Sequence, residues 1–321
     1  MKKKIIIVVG DPNSINSEIF YKCYRQLNPS IKKAIYLVAN YELIVRQFKR
    51  LKKPLRFIKV NNIFEEIKGN RIKILNINLK FEDPFNVKTK EASNYVINSL
   101  NYAHKLAFEN KVNGFINCAI DKKLLKKNKI GVTEYLASKC KVKKNSEVML
   151  IRNNMLAVSP ITTHSDLKEV SKKIREELII NKTKTISSFY KKIFGKNAKF
   201  GILGLNPHNA ELRKNSEEKK VIIPAIKKLK KKGINVKGPI ASDTIFIKDY
   251  KNFDVIIGMY HDQVIAPYKT LYGFDAINIT LGLKYLRISP DHGTAINLIG
   301  KNKADGKSLL ECIKFMHKYN Q

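Results

Sequence analysis

The chain is 321 residues long and 44% hydrophobic, with 62 Lys and Arg against 27 Asp and Glu, a formal charge of +35. That length carries two domains or one large one around a sizeable core, and no stretch reaches the roughly 18 apolar residues of a membrane-spanning helix. The charge suits anionic substrates but not nucleic acid as the main partner. The lysines are spread along the chain among Ile and Asn, and no zinc-finger spacing, aromatic RNA-binding signature or basic zipper accompanies them.

Lys3 and Lys4 precede a short apolar run, Ile5–Val9, that Gly10-Asp11-Pro12 ends. A secretory leader needs a longer apolar segment and a small-residue cleavage site, so the run reads as the buried first strand of a cytoplasmic protein. A helix over Ser17–Leu27 and a strand over Ala34–Val38 follow. Residues Arg46–Pro84, rich in Lys and Asn with brief apolar runs, read as small strands or an excursion. The spacing then gives a helix over Lys90–Asn110, a strand over Gly114–Ala119 and a strand over Met155–Val158. A helix over Asp166–Asn181 follows, with Asp166 as its cap. After the strand Phe200–Leu205 comes a helix over Ser216–Lys232, opened by Ser-Glu-Glu-Lys. Its Lys227–Lys232 run is a solvated face. Strands over Asp254–Met259 and Ala276–Thr280 and a helix over Lys307–Tyr319 complete the chain. Strands alternating with helices give an α/β fold with a largely parallel sheet, without internal repeats or a low-complexity linker. Cys23, Cys118, Cys140 and Cys312 form no CxxC pair. They read as free thiols in a reducing compartment rather than a zinc knuckle or a disulfide framework.

Three of the six histidines share a placement. His164, His208 and His261 each follow an apolar run that reads as a strand. In a parallel α/β sheet the carboxyl ends of the strands lie on one edge, where ligands bind. Three neutral imidazoles gathered there suit Zn²⁺ or a similar divalent ion, with positions left for water or substrate. Spacing alone equally allows three unrelated loop histidines, each satisfied locally. Asp262 beside His261 could orient its ring or cap a helix. His104 and His317 lie inside helical patterns, as packing or surface residues.

Gly10-Asp11-Pro12, Gly131-Val132-Thr133-Glu134, Thr162-Thr163-His164, Gly204-Leu205-Asn206-Pro207-His208, Gly238-Pro239, Ser242-Asp243-Thr244, Met259-Tyr260-His261-Asp262-Gln263 and Asp291-His292-Gly293-Thr294-Ala295 occur in this order. The ordered set resembles the 4-hydroxythreonine-4-phosphate dehydrogenases of vitamin B6 synthesis, and it runs from residue 10 to about residue 305. The resemblance implies a two-domain α/β/α architecture like that of isocitrate and isopropylmalate dehydrogenases, with the active site in the interdomain cleft. It places a discontinuous first domain at about residues 1–125 plus 275–321 and a second at about 126–274. It implies that His164, His208 and His261 are metal ligands, for Zn²⁺ with Mg²⁺ or Co²⁺ as alternatives, in a site shared across a homodimer. It implies that Thr133, Lys269, Asn278 and Arg287 bind substrate. The implied reaction is NAD(P)-dependent oxidation of the C3 alcohol of 4-phosphooxy-L-threonine. The 3-keto acid then loses CO₂ to give 3-amino-2-oxopropyl phosphate.

No GxGxxG follows a strand, so a Rossmann dinucleotide site is not supported. His292, Gly293, Thr294, Ala295 and Asn297 instead resemble the adenosine-binding loop of isocitrate and isopropylmalate dehydrogenases. Cationic Lys269 and Arg287 suit the two anionic groups of the substrate. Asp243 and Lys269 are the catalytic candidates. Asp243 follows the turn-like Gly238-Pro239, as an orienting or proton-handling carboxylate or as a structural cap. One departure bears on substrate. The family has His before Thr in Gly-His-Thr-Glu, and here the residue is Val132, which neither donates a hydrogen bond nor carries charge. Alternatives are therefore a paralogous dehydrogenase of a phosphorylated four-carbon sugar acid, or a non-catalytic metal-dependent phospho-ligand binder. The loop after Asn209-Ala210 departs too, with Glu211-Leu212-Arg213 in place of a Gly-rich turn.

Overall fold

The computed structural model describes residues 3–65, 67, 69–125, 131–142 and 147–321. The strands in chain order are β1 (Ile5–Val8), β2 (Ile35–Ala39), β3 (Phe57–Val60), β4 (Ile72–Asn76), β5 (Gly114–Asn117) and β6 (Val148–Arg152). They continue with β7 (Ala157–Thr162), β8 (Phe200–Leu203), β9 (Val236–Ile240), β10 (Val255–Tyr260), β11 (Ile277–Leu281) and β12 (Leu286–Pro290). The helices are α1 (Asn16–Gln26), α2 (Pro29–Ala34), α3 (Tyr41–Arg50), α4 (Thr89–Phe108), α5 (Val132–Lys139) and α6 (Leu167–Lys173). After these come α7 (Glu176–Phe194), α8 (Ile223–Lys231), α9 (Ser242–Ile245), α10 (His261–Tyr272) and α11 (Lys307–Tyr319). The chain divides into two compact units, Met1–Lys141 with Leu283–Gln321, and Val142–Gly282. The domain boundary expected at residue 126 lies outside the described residues.

The first unit carries strands in the order β3-β4-β2-β1-β5-β12, and every pairing among them is parallel. Ile5 to Val8 of β1 are all buried, and both α4 and α11 pack against β1 and β5. A strand covered on both faces reads as an unbroken apolar run, which is why β1 and β2 stand out in the sequence. Each fully buried Ile contributes about 1.5–3 kcal/mol. Helix α3 starts where the Asn40 side chain accepts the Leu43 N–H at 2.9 Å, and α2 starts with Pro29 after an Asn28 side chain that accepts from Ile31. Both are N-terminal caps. All four cysteines belong to this unit and are buried free thiols.

The second unit has the order β11-β6-β7-β10-β8-β9. Strands β7, β10, β8 and β9 are parallel, whereas β6 is antiparallel to both β11 and β7. Helix α7 buries Ile179, Thr183, Ile186 and Tyr190 at helical spacing and ends at Gly195, in the left-handed region at φ 64°. Helix α10 packs on β7 and β10.

Several expectations change. The single helix over Asp166–Asn181 is two, α6 and α7, because Ile174 and Arg175 take extended backbone. Asp166 precedes α6 without a side-chain capping bond. Gly238-Pro239 lies inside β9 rather than in a turn, as an edge strand allows, since its outer side needs no ladder donors. Met155 sits before β7, which runs to Thr162. Arg46–Pro84 holds the end of α3 and two strands of the sheet, β3 and β4. Among the described residues no helix is long and apolar enough to cross a membrane.

Candidate functional site

Strands β7, β10 and β8 end on one edge. In their register Tyr260 lies opposite Thr162, and Ile257 opposite Ile202. His164 follows two residues after β7, and His261 opens α10 directly after β10. His208 sits in the 3-10 turn Pro207–Leu212 that follows β8. His164 and His261 meet, with ring centroids 6.0 Å apart. The Nδ1 of His261 is 2.7 Å from Asp262 Oδ1, so Nδ1–H donates to the carboxylate and Nε2 keeps its lone pair free for a metal. Asp262 is thus a partner of the ring, not a helix cap, and the residue before α10 is Tyr260. His208 is exposed, on backbone with φ 50°. Among the described residues no group of three or more His, Cys, Asp or Glu side chains converges within the single chain. Two imidazoles side by side, one with its tautomer set by a carboxylate, and a third on the same edge are a donor set that fits a divalent ion of the zinc class.

Side chains the sequence did not single out hold this edge. Thr162 donates its hydroxyl to Met259 O at 2.8 Å, tying β7 to β10. Glu218, fully buried, accepts the N–H groups of Leu205 and Asn206, each at 2.8 Å. Its burial disfavours charge, but these bonds and the Asn206 side chain outweigh that and hold the carboxyl below its usual range. Gly204 comes so close to the His208 turn that a Cβ on it would lie 2.1 Å from Asn209 Oδ1. His208 to Leu212 all have positive φ, between 44° and 55°, a conformation that disfavours side chains. The Glu218 bonds sit at the root of that turn.

The remaining candidates fall as follows. In the second unit, Asp243 is exposed in the first turn of the short α9, and the residue before that helix is Ala241, so Asp243 is not its cap. Lys269 of α10 places its ammonium 5.0 Å from the Phe274 ring centroid. Asn278 of β11 has a buried Oδ1 without a hydrogen-bond partner among the described residues. In the first unit, Arg287 of β12 is 4% exposed and donates from Nε to Asn117 Oδ1 at 2.6 Å and from Nη1 to Thr133 Oγ1 at 3.4 Å. Burial pulls its pKa down to about 10. Val132 and Thr133 open α5. Asn117 is a polar residue closing an apolar strand, the one signal in the sequence that could have marked it.

The His292 segment is also anchored. His292 Nδ1 is 2.9 Å from Gly293 O, so it carries the proton, and its buried Nε2 lacks a partner among the described residues. Thr294 O accepts the Ile15 N–H at 3.2 Å, Ala295 is left-handed at φ 44°, and Gly293 and Asn297 are exposed. A buried imidazole acceptor beside an exposed glycine fits the amino group and ribose of an adenosine.

Residues 30–316 match the family model described as pyridoxal phosphate biosynthetic protein PdxA. The chain is 35% identical to the 4-hydroxythreonine-4-phosphate dehydrogenase of Sulfurihydrogenibium sp. over 317 residues, 97% of this chain and 96% of the relative. It is 32% identical over 323 residues to an Oceanobacillus iheyensis protein provisionally named D-threonate 4-phosphate dehydrogenase, over 97% of this chain and 96% of that one. A crystal structure of 4-hydroxythreonine-4-phosphate dehydrogenase from Klebsiella pneumoniae superposes with a TM-score of 0.85 at 25% identity, covering 99% of both chains.

Proposed function

The chain belongs to the PdxA family of pyridoxal phosphate biosynthetic proteins, and on that premise we propose that it oxidises 4-phosphooxy-L-threonine with a nicotinamide cofactor. The C3 alcohol becomes a ketone, and the 3-keto acid loses CO₂ to give 3-amino-2-oxopropyl phosphate. The observation that carries this reading is the match to relatives of that name along nearly the whole chain.

His164, His208 and His261 would hold a divalent ion, Zn²⁺ with Mg²⁺ or Co²⁺ as alternatives, the set being completed across a homodimer. When bound, such an ion supplies Lewis acidity toward the substrate's hydroxyl and keto oxygens. The nicotinamide, of NAD or NADP, supplies the hydride acceptor. Asp262 keeps the His261 tautomer that presents Nε2. Arg287, held in place by Asn117 and Thr133, offers a guanidinium to an anionic group of the substrate, and Lys269 offers an ammonium to another. Asn278 contributes a buried carbonyl oxygen that needs a donor, which a substrate hydroxyl or ammonium satisfies. His292 Nε2 accepts from the adenine amino group, with Gly293, Thr294, Ala295 and Asn297 around the adenosine. Asp243, exposed to water, suits proton exchange. We read the protein as a cytoplasmic enzyme acting on a small phosphorylated substrate.

Val132 favours a second reading, a paralogous dehydrogenase of a phosphorylated four-carbon sugar acid, because it removes a polar contact beside Thr133. The experiment is NAD and NADP reduction by the metal-replete protein with 4-phosphooxythreonine, phosphothreonate and phosphoerythronate. Highest kcat/KM with 4-phosphooxythreonine is the expected result. Preference for a sugar acid supports the second reading. Reduction with none of them, despite metal binding, leaves a phospho-ligand binder and sinks the dehydrogenase. His208→Ala should lose both metal and turnover; full activity at unchanged metal content would contradict its role.

A further inference from the structure

We infer that Gln263 is a positioning residue whose amide sets the loop of His208 against the turn of His261. The inference rests on the ligand roles proposed for those histidines. Gln263 lies in the first turn of α10, two residues after His261, and is 7% exposed. Its Oε1 accepts the Met259 N–H at 2.7 Å, and its Nε2 donates to Gly204 O at 2.7 Å. Met259 precedes His261 by two residues on β10, and Gly204 precedes His208 by four.

The backbone register of β10 and β8 runs as far as Ile257 opposite Ile202. Two residues further on stand Met259, still in β10 beside β7, and Gly204, the first residue past the end of β8. Gln263 bridges these two residues, so a side chain continues the ladder one step beyond its backbone end. The other backbone group of Met259, its carbonyl, accepts from Thr162. One peptide segment is therefore clamped from both sides, by β7's last residue and by Gln263. Neighbouring packing matches: a Cβ on Gly258 would lie 3.1 Å from Gln263 Oε1 and 2.6 Å from Val264 Cγ1.

The task needs a neutral amide. One end must accept and the other donate, which Gln does and no other side chain of that length does. Glu keeps the acceptor but turns an oxygen toward the Gly204 carbonyl. Met fills the volume and leaves both backbone groups without a partner. Residues that orient metal ligands change metal affinity by about 10–100-fold when replaced.

The test uses the full chain stripped of metal, with Zn²⁺ affinity read by chelator competition and the ligand field by Co²⁺ absorption. Gln263→Met and Gln263→Glu are compared with wild type and with Gln47→Met. Gln47 is an equally buried amide in the first unit, donating to Pro12 O at 2.9 Å and Pro84 O at 2.7 Å. It also accepts from the Ser17 hydroxyl at 2.5 Å, so its replacement removes three hydrogen bonds, one more than the two of Gln263, far from any histidine in sequence. The expected result is Zn²⁺ binding about 10–100-fold weaker in both Gln263 variants, an altered Co²⁺ spectrum, and wild-type values for Gln47→Met. Wild-type affinity in the Gln263 variants overturns the inference, as does equal weakening by Gln47→Met. If Gln263→Met does not fold, Gln263→Glu decides, because it keeps the Met259 bond. A wild-type protein that binds no stoichiometric Zn²⁺ overturns the proposed ligand roles and this inference with them.

Discussion

Asp11 makes stability depend on pH in a direction opposite to that of most carboxylates. It sits just after β1 and is 4% exposed, with Oδ1 accepting the Asn13 N–H at 2.8 Å and Oδ2 the Asp121 N–H at 3.2 Å. Burial pushes its carboxyl from 3.8 up to about 6, against the pull of those two N–H groups and with help from the Asp121 charge. The unfolded chain releases this proton near 3.8, the folded chain near 6. Between these values the folded state holds a proton that the unfolded state has lost, so stability falls as pH rises and levels off above about 6. At about 1.4 kcal/mol per pH unit the whole window is worth about 3 kcal/mol. About 2 kcal/mol of it lies between pH 4.5 and 7. Asp11→Asn cannot ionise and keeps an acceptor for Asn13. Urea unfolding of both proteins at the two pH values isolates the group, because all other titrations cancel. The variant should gain about 2 kcal/mol relative to wild type on going from pH 4.5 to 7. A difference that stays constant within about 0.5 kcal/mol refutes the buried-carboxyl argument.

Arg287→Lys loses the planar fork that reaches Asn117 and Thr133 together, so KM for the phosphorylated acid should rise about tenfold or more with the cofactor KM unchanged. Equal rises in both constants would show a general loss of structure instead. Gly204→Ala forces its Cβ against Asn209, and thermal unfolding should report a loss of about 1–3 kcal/mol. An unchanged Tm would mean the turn yields freely. His292→Phe keeps a ring but removes the Nε2 acceptor. KM for NAD or NADP should rise about tenfold, the scale of one hydrogen bond, and unaltered cofactor kinetics would place the adenosine elsewhere.

The parallel strands were the most legible part of the chain. β1, β2, β5, β8 and β10 are apolar runs buried almost throughout, and α11 spans Lys307–Tyr319 as its periodicity gives. Strand β9, Val-Lys-Gly-Pro-Ile, is an edge strand whose composition reads as a turn, and β12 carries Arg287 within a short run before a loop. The break between α6 and α7 leaves the apolar spacing intact, so nothing in the pattern marks it. At the site, histidines after strands were visible because a strand end is visible. The bonds of Gln263 to Gly204 and of Glu218 to Leu205 and Asn206 were not. They depend on which strands neighbour each other, and for Gln263 the partners are 59 residues apart.

The distribution of thiols gives the molecule an internal stopwatch. Cys23, Cys118, Cys140 and Cys312 are all shielded and all lie in Met1–Lys141 or Leu283–Gln321, while Val142–Gly282 has none. Burial pushes the Cys23 thiol up to about 12 and raises Cys118 and Cys312 as well, so alkylating reagents find no thiolate there until the backbone opens. The rate of alkylation therefore times the opening of one unit alone, and the other can come apart without a single count.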